Sequence, residues 1–278
     1  MLAESGDNPA AADLMRDALT LVPEWTAGWF LLGEMLAANG DVGAARDVFY
    51  KVLARDPADS LGAALQLELL GEDSNGQALA FVEALFDQYA GNFETALVEK
   101  LAYQTPSALL SELVPFLPDE VGHAADLGCG TGLMGQLLRS RSVRLSGYDV
   151  STAMLAKARG KACYDRLEKA DIGALRLDEP AELVTAADVF NYFGDLGPLF
   201  ANVRRMMPQG GIFGFSVEKL AAGDGWKLQE TRRYRHAEGY VQSALALAGF
   251  SVAAVSPTIL RHDQGLPVEG IIFIALAA

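Results

Sequence analysis

With 278 residues, of which 51% are hydrophobic, and a mean hydropathy of +0.17, the chain can bury one large core and a small one, and its composition excludes disorder. A net charge of −14 and a pI near 4.6 argue against a nucleic-acid partner, which would need clustered Lys and Arg. No apolar run reaches the roughly 18 to 20 residues that span a bilayer, Glu4 and Asp7 stand where a signal peptide would be basic, and Cys129 and Cys163 fit neither a zinc site nor a disulfide framework, so a metal-free protein of the reducing cytoplasm is expected.

The N-terminal third repeats itself. Residues 1–24 align with 35–58, so that Met1-Leu-Ala-Glu-Ser-Gly-Asp7 lies over Met35-Leu-Ala-Ala-Asn-Gly-Asp41, Ala11 over Ala45 and Pro23 over Pro57. Trp29, Leu32, Gly33, Leu36, Ala45, Phe49 and Pro57 follow the tetratricopeptide pattern, and 60–70 reads as one more helix before Gly71. Residues 1–70 therefore resemble one and a half to two such repeats. About three are usually needed to stand alone, so these either lean on the following domain or present a groove to a protein or peptide partner.

Glu72-Asp-Ser-Asn-Gly76 is the expected linker, with Ser74 or Asn75 capping a helix that carries Leu79, Val82, Leu85, Phe86 and Tyr89 until Gly91 interrupts it. A helix over 95–104 and a second, ending before Pro115 and Pro118, lead to a first strand at 122–127.

That strand runs into Asp126-Leu-Gly-Cys-Gly-Thr-Gly132, a glycine turn opening a helix. Three glycines in five residues let the backbone take positive φ and let a ligand approach it. Read as Gly130-x-Gly132-x-x-Gly135 the turn suits a dinucleotide. Read from Asp126, it carries an acid better suited to a ligand ammonium than to a pyrophosphate. Asp149 ends the second strand, 19 residues after Gly130, where doubly wound folds place the acid that binds ribose hydroxyls, and Ser151 is a plausible cap for the next helix. A fourth strand at 182–187 should bring Asp188 and Asn191 to the carboxyl edge of the sheet, where such folds bind ligands. A helix over 198–207 and a strand over 212–217 complete the alternation. Residues 218–233 read as an irregular insertion followed by Arg232-Arg-Tyr-Arg-His236, which could hold an anionic substrate or cover an acidic neighbour. After a helix at 237–248, strands at 250–255 and 270–276 should be joined by a long polar connection.

The DLGCGTG string resembles motif I of the Rossmann-like class I S-adenosylmethionine-dependent methyltransferases, and Phe86-Asp-Gln-Tyr-Ala-Gly-Asn-Phe-Glu94 resembles the element preceding it in many small-molecule members. RRYRHAEGYV and LRHDQGLPVEG are similar to strings of a bacterial group carrying N-terminal tetratricopeptide repeats. The resemblance implies an α/β, seven-stranded sheet with an antiparallel last strand. It also implies domains at 1–70 and 71–278, the latter made of capping helices 71–118 and a core 119–278. The cofactor implied is S-adenosylmethionine, with Asp126, Gly128, Cys129, Gly130, Thr131, Gly132, Asp149, Val150, Met154, Ala187 and Asp188 around it. Asp171 would meet the adenine amino group, Ile172 would pack on the ring, and Tyr89 and Phe93 would close over the methionine moiety. Asp188 and His236 are the candidate catalytic residues, His236 as a general base for a small-molecule acceptor. A nicotinamide-dependent oxidoreductase, a protein methyltransferase and a non-catalytic repeat adaptor stay open as alternatives.

Overall fold

A computed structural model describes residues 8–72, 79–91, 103–263 and 265–278. Outside these lie Met1–Asp7, Ser74, Asn75 and most of the expected linker, Phe93, and nearly all of the expected helix at 95–104. The chain divides into two compact units, Met1–Ala84 and Leu85–Ala278.

Apolar residues at helical spacing and short polar breaks make the first unit all-helical: α1 (Asn8–Leu21), α2 (Thr26–Ala38), α3 (Val42–Arg55), α4 (Ala63–Leu69) and the start of α5 (Leu79–Tyr89). Asp41 caps α3 by accepting from the Ala44 N–H, and the Asp59 carboxylate accepts from the Ala63 and Ala64 N–H groups at the head of α4. Leu32, Leu36, Ala45, Phe49 and Val52 are buried between α2 and α3. Gly33 has no side chain because the Phe49 ring fills the space: a Cβ there would stand 2.6 Å from Phe49 Cε1. Gly33→Ala is therefore expected to destabilise this unit by about 1–3 kcal/mol through overpacking, outweighing the gain in helix propensity; a urea titration followed by Trp fluorescence checks it.

The second unit is a sheet with helices on both faces. In chain order it comprises α6 (Thr105–Leu113), β1 (Val121–Leu127), α7 (Leu133–Leu138), β2 (Ser142–Asp149), α8 (Thr152–Gly160), β3 (Arg166–Lys169) and β4 (Leu183–Ala186). Then come α9 (Gly197–Arg205), β5 (Ile212–Lys219), β6 (Trp226–Leu228), β7 (Tyr234–His236), α10 (Glu238–Leu247), β8 (Phe250–Asp263) and β9 (Leu266–Ala277). Strands β3, β2, β1, β4 and β5 are parallel neighbours in that order, and β9 runs antiparallel between β5 and β8. Side chains of β5 alternate between two cores: Phe213, Phe215 and Val217 join Phe190, Phe200 and Phe273 on one face, while Ile212 joins Leu109, Leu113 and Leu183 on the other.

Two expectations are corrected. Among the described residues the sheet has nine strands, not seven, because β5 continues past Val217 and its Glu218 and Lys219 pair with Arg235 and His236 of the small β6–β7 hairpin. The expected polar connection between 255 and 270 is mostly strand: β8 and β9 form one long hairpin. The last strand in the row, β8, has one face in solvent, so polar residues and Pro257 occupy it without breaking it.

Candidate active site

The chain order reverses between β1 and β4, and a crevice at the carboxyl ends of those strands is where such sheets bind ligands. The glycine turn stands there. Gly128, Gly130 and Gly132 all have positive φ (+60°, +53° and +90°), which side chains rarely tolerate. A Cβ on Gly128 would come within 2.5 Å of Val189 Cγ2, just beyond β4. Nothing lies within 4 Å of the corresponding point at Gly130, so the turn is open on that side.

Asp149 closes the turn from the end of β2. Its Oδ2 accepts from the Gly130 N–H at 2.8 Å and its Oδ1 from the Ser151 N–H at 2.8 Å; burial pushes its pKa up against those bonds. Beneath the turn, the Asp126 carboxylate accepts from Thr185 Oγ1 (2.9 Å) and from the Tyr164 hydroxyl (2.6 Å). Desolvation raises the pKa of Asp126 to about 6. The ring of Tyr164 is packed against Gly132, Gly135 and Gly147, so the third glycine of the dinucleotide pattern is explained by this ring. The Thr131 hydroxyl is buried without a partner, and Cys129 is buried with its thiol pKa pushed up by desolvation, which keeps it an inert packing group.

The end of α5 lies over this edge. Asp87 Oδ1 accepts from Ser151 Oγ at 2.5 Å and from the Ala153 N–H at 3.2 Å, joining Ser151 in capping α8. Phe86 meets Tyr192 edge to face at 5.3 Å, and Tyr89 is left more than half exposed at the helix end. On the other flank, Asp171 follows β3 and accepts from the Gly173 N–H, next to buried Ile172, whose carbonyl is held by Asn202. Val150 and Ala187 are half-buried beside Asp149 and Asp188. Met154 is fully buried inside α8, where it can only support the loop from below.

Asp188 has a positive φ of 60° and leads into a charged cluster, of which sequence reasoning found Asp188 and the arginine run at 232–235 but missed Arg261 and Glu218. Arg261 of β8 donates to both Asp188 oxygens through Nη1 (3.0 and 3.2 Å) and to Glu218 Oε1 through Nη2. Arg233 Nη1 and Arg235 Nε stand 3.6 and 3.8 Å from the Glu218 carboxylate. The sequence signal for Arg261 was a cation straight after Ile259 and Leu260, which becomes informative only once 250–263 is known to be a strand.

His236, the candidate base, lies in β7. It is fully buried, its Nε2 lies 2.9 and 3.0 Å from the Phe193 and Gly194 carbonyl oxygens, and desolvation lowers its pKa to about 4. An Nε2–H donating to two carbonyls describes a ring that pins the 193–194 turn, and a pKa that low makes a weak base.

Residues 124–211 match the family model described as a methyltransferase domain. The matched residues run from β1 to the loop before β5 and so include the glycine turn, Asp149, Asp171 and Asp188. The chain is 28% identical over 139 residues to malonyl-[acyl-carrier protein] O-methyltransferase of Serratia marcescens (50% of this chain, 52% of that protein). It is 30% identical over 118 residues to trans-aconitate 2-methyltransferase of Rhizobium etli (37% and 46%). The chain thus spans about half the length of the curated relatives it matches. In fold it is similar to an S-adenosylmethionine-dependent methyltransferase from Clostridium acetobutylicum, with a TM-score of 0.53 and 17% identity over 70% of this chain and 99% of that one. It is also similar to S-adenosylmethionine-bound CalS10, an amino pentose methyltransferase from Micromonospora echinaspora, with a TM-score of 0.50 and 18% identity over 63% and 91%. Among the described residues no helix is long and apolar enough to cross a membrane, and no group of three or more His, Cys, Asp or Glu could hold a metal.

Proposed function

We propose that the chain transfers the methyl group of S-adenosylmethionine to an oxygen, nitrogen or carbon atom of a small molecule. The observation that carries this reading is the glycine turn, backed by Asp149 and open at Gly130, with an unpartnered Thr131 hydroxyl in its wall. That cradle fits a ligand laid along the turn. In this reading Gly128, Cys129, Gly130, Thr131 and Gly132 form the cradle, and Asp149 receives the ribose hydroxyls with Val150 beside it. Asp171 and Ile172 take the adenine, Ala187 and Asp188 border the sulfonium, and Tyr89 covers the methionine end. Met154 supports Ser151 from beneath.

When bound, the cofactor supplies an electrophilic methyl group. The chain then has to align an acceptor with it and keep water away, which proximity and orientation can turn into roughly 7–11 kcal/mol of barrier lowering. His236 holds the 193–194 turn in this reading and is not the base. Calorimetric titration with S-adenosylmethionine, S-adenosylhomocysteine and NADH tests the cofactor assignment: binding of the first two alone is expected, and binding of NADH alone would replace this reading with an oxidoreductase.

The reading also predicts a pH dependence. Asp126 takes up a proton near pH 6 in the cofactor-free chain, and a cationic ligand favours its charged form. Binding should therefore release a proton, so affinity rises with pH through 6 and levels above it, and below pH 6 it falls by up to about tenfold per unit. Titrations between pH 5 and 8 check this, and Asp126→Asn should flatten the curve.

For residues 1–70 we propose tetratricopeptide repeats. The burial of Leu32, Leu36, Ala45 and Phe49, with Gly33 under the Phe49 ring, supports this assignment, and a peptide or protein is the partner such repeats would take.

A further inference from the structure

The charged cluster beyond β4, β5 and β7 holds more cations than anions. Arg261, 3% exposed in its side chain, is used up between Asp188 and Glu218. Glu218, equally buried, is also the carboxylate next to Arg233 and Arg235. Arg235 is 40% exposed and reaches solvent, whereas the Arg233 side chain is three-quarters buried. Arg233 lies over the Tyr192 ring, and its nearest carboxylate among the described residues is at 3.6 Å, already engaged by Arg261. Among the described residues three guanidinium groups thus face two carboxylates. A surplus buried cation is costly unless an anion meets it. Next to Tyr192, Asn191 is 1% exposed with both amide atoms unpartnered, and such a group normally has a partner. The cluster adjoins the glycine turn, because Val189, which follows Asp188, packs on Gly128.

No described residue of this cluster is poised to accept a proton. Asp188 is tied to Arg261, burial lowers the pKa of His236 to about 4 so that its unpartnered Nδ1 is a weak base, and burial keeps the hydroxyls of Tyr103 and Tyr192 protonated. A hydroxyl or ammonium acceptor would need such a group; a carboxylate arrives already deprotonated.

We infer that the methyl acceptor is an organic carboxylate anchored by Arg233 beside Asn191 and methylated on oxygen. This rests on the methyl-transfer reading above. The carboxylate oxygen forms a bond to the methyl carbon as the carbon–sulfur bond breaks, and the bonding pair stays on sulfur. A carboxylate and a sulfonium become a neutral methyl ester and a neutral thioether, and no proton moves. The ester has lost the charge that Arg233 held, which favours its release.

The test uses the full chain and S-adenosylmethionine labelled in the methyl group, with mono-, di- and tricarboxylates of three to six carbons and their amides as acceptors. Label is expected on carboxylates alone and should leave as methanol in mild alkali, as an ester does. Arg233→Gln should lower kcat/KM by roughly 10- to 100-fold, mostly through KM, as loss of a charge-assisted contact would. Arg233→Lys should fall between, and S-adenosylhomocysteine affinity should stay unchanged in both, which also reports that they fold. If the wild type binds S-adenosylhomocysteine but labels no carboxylate, or gives an alkali-stable product, or matches Arg233→Gln, the carboxylate assignment fails alone. If it does not bind S-adenosylhomocysteine, the methyl-transfer reading fails with it.

Discussion

Asp149→Ala is expected to weaken S-adenosylmethionine binding by about two to four orders of magnitude while the chain stays folded. In the proposed site this carboxylate takes two ribose hydroxyls, and charge-assisted hydrogen bonds contribute about 1.5–3 kcal/mol each, so their loss costs on the order of 3–6 kcal/mol of affinity. The same side chain holds the Gly130 and Ser151 N–H groups, so its removal also loosens the turn the cofactor would lie along. The sheet beneath is independent of it, because β1 and β2 are bridged by their own backbone bonds and the cores on both faces are untouched. Calorimetry with S-adenosylhomocysteine measures the loss, and circular dichroism confirms the fold. An affinity equal to the wild type would sink the ribose assignment.

The largest effect on stability should come from Arg261→Met, at about 3–5 kcal/mol. It leaves the Asp188 carboxylate without the guanidinium from which both its oxygens accept, while Glu218 keeps Arg233 and Arg235 at 3.6 and 3.8 Å. Much of this cost belongs to the stranded Asp188 carboxylate and not to the ion pair itself. Adding Asp188→Asn should accordingly restore most of the lost stability, since replacing both partners of a buried pair is often close to neutral. Urea midpoints of the single and double variants distinguish this from a simple packing defect, which the added change would not repair.

The two aspartates in the turn region show how far local pattern reaches. Asp126 and Asp149 could be picked out by their distance from the glycines, because a glycine turn between strand and helix allows few geometries and the acid at the end of the next strand must follow at a set interval. The partner of Asp126 could not be found that way. Tyr164 lies 38 residues downstream, and its hydroxyl reaches Asp126 only because Gly132, Gly135 and Gly147 leave its ring a slot. Asp87 is a similar case: it stands between Phe86 and Gln88 with no local mark of function, and its role as a second cap for α8 exists only because Ser151 and Ala153 come within its reach.

His236 and residues 256–263 show what local pattern leaves out. A histidine among arginines and tyrosines suggested a base, yet pairing of Lys219 with His236 turns the ring inward, where two carbonyls claim its proton. Residues 256–263 suggested a loop because edge strands carry polar residues on their outer face and so lack the apolar signature of a buried strand.

The alternation of strand and helix, the glycine turn, the acid at the end of β2 and the helical character of the N-terminal third were determined by the sequence alone, through hydrophobic period and the conformational freedom of glycine. The pairing of β8 with β9, the hairpin added to β5, the burial of His236 and the sharing of two carboxylates among three arginines were decided by tertiary structure. Each of these joins residues distant along the chain, and local spacing carries no record of which of them will share a low-dielectric interior.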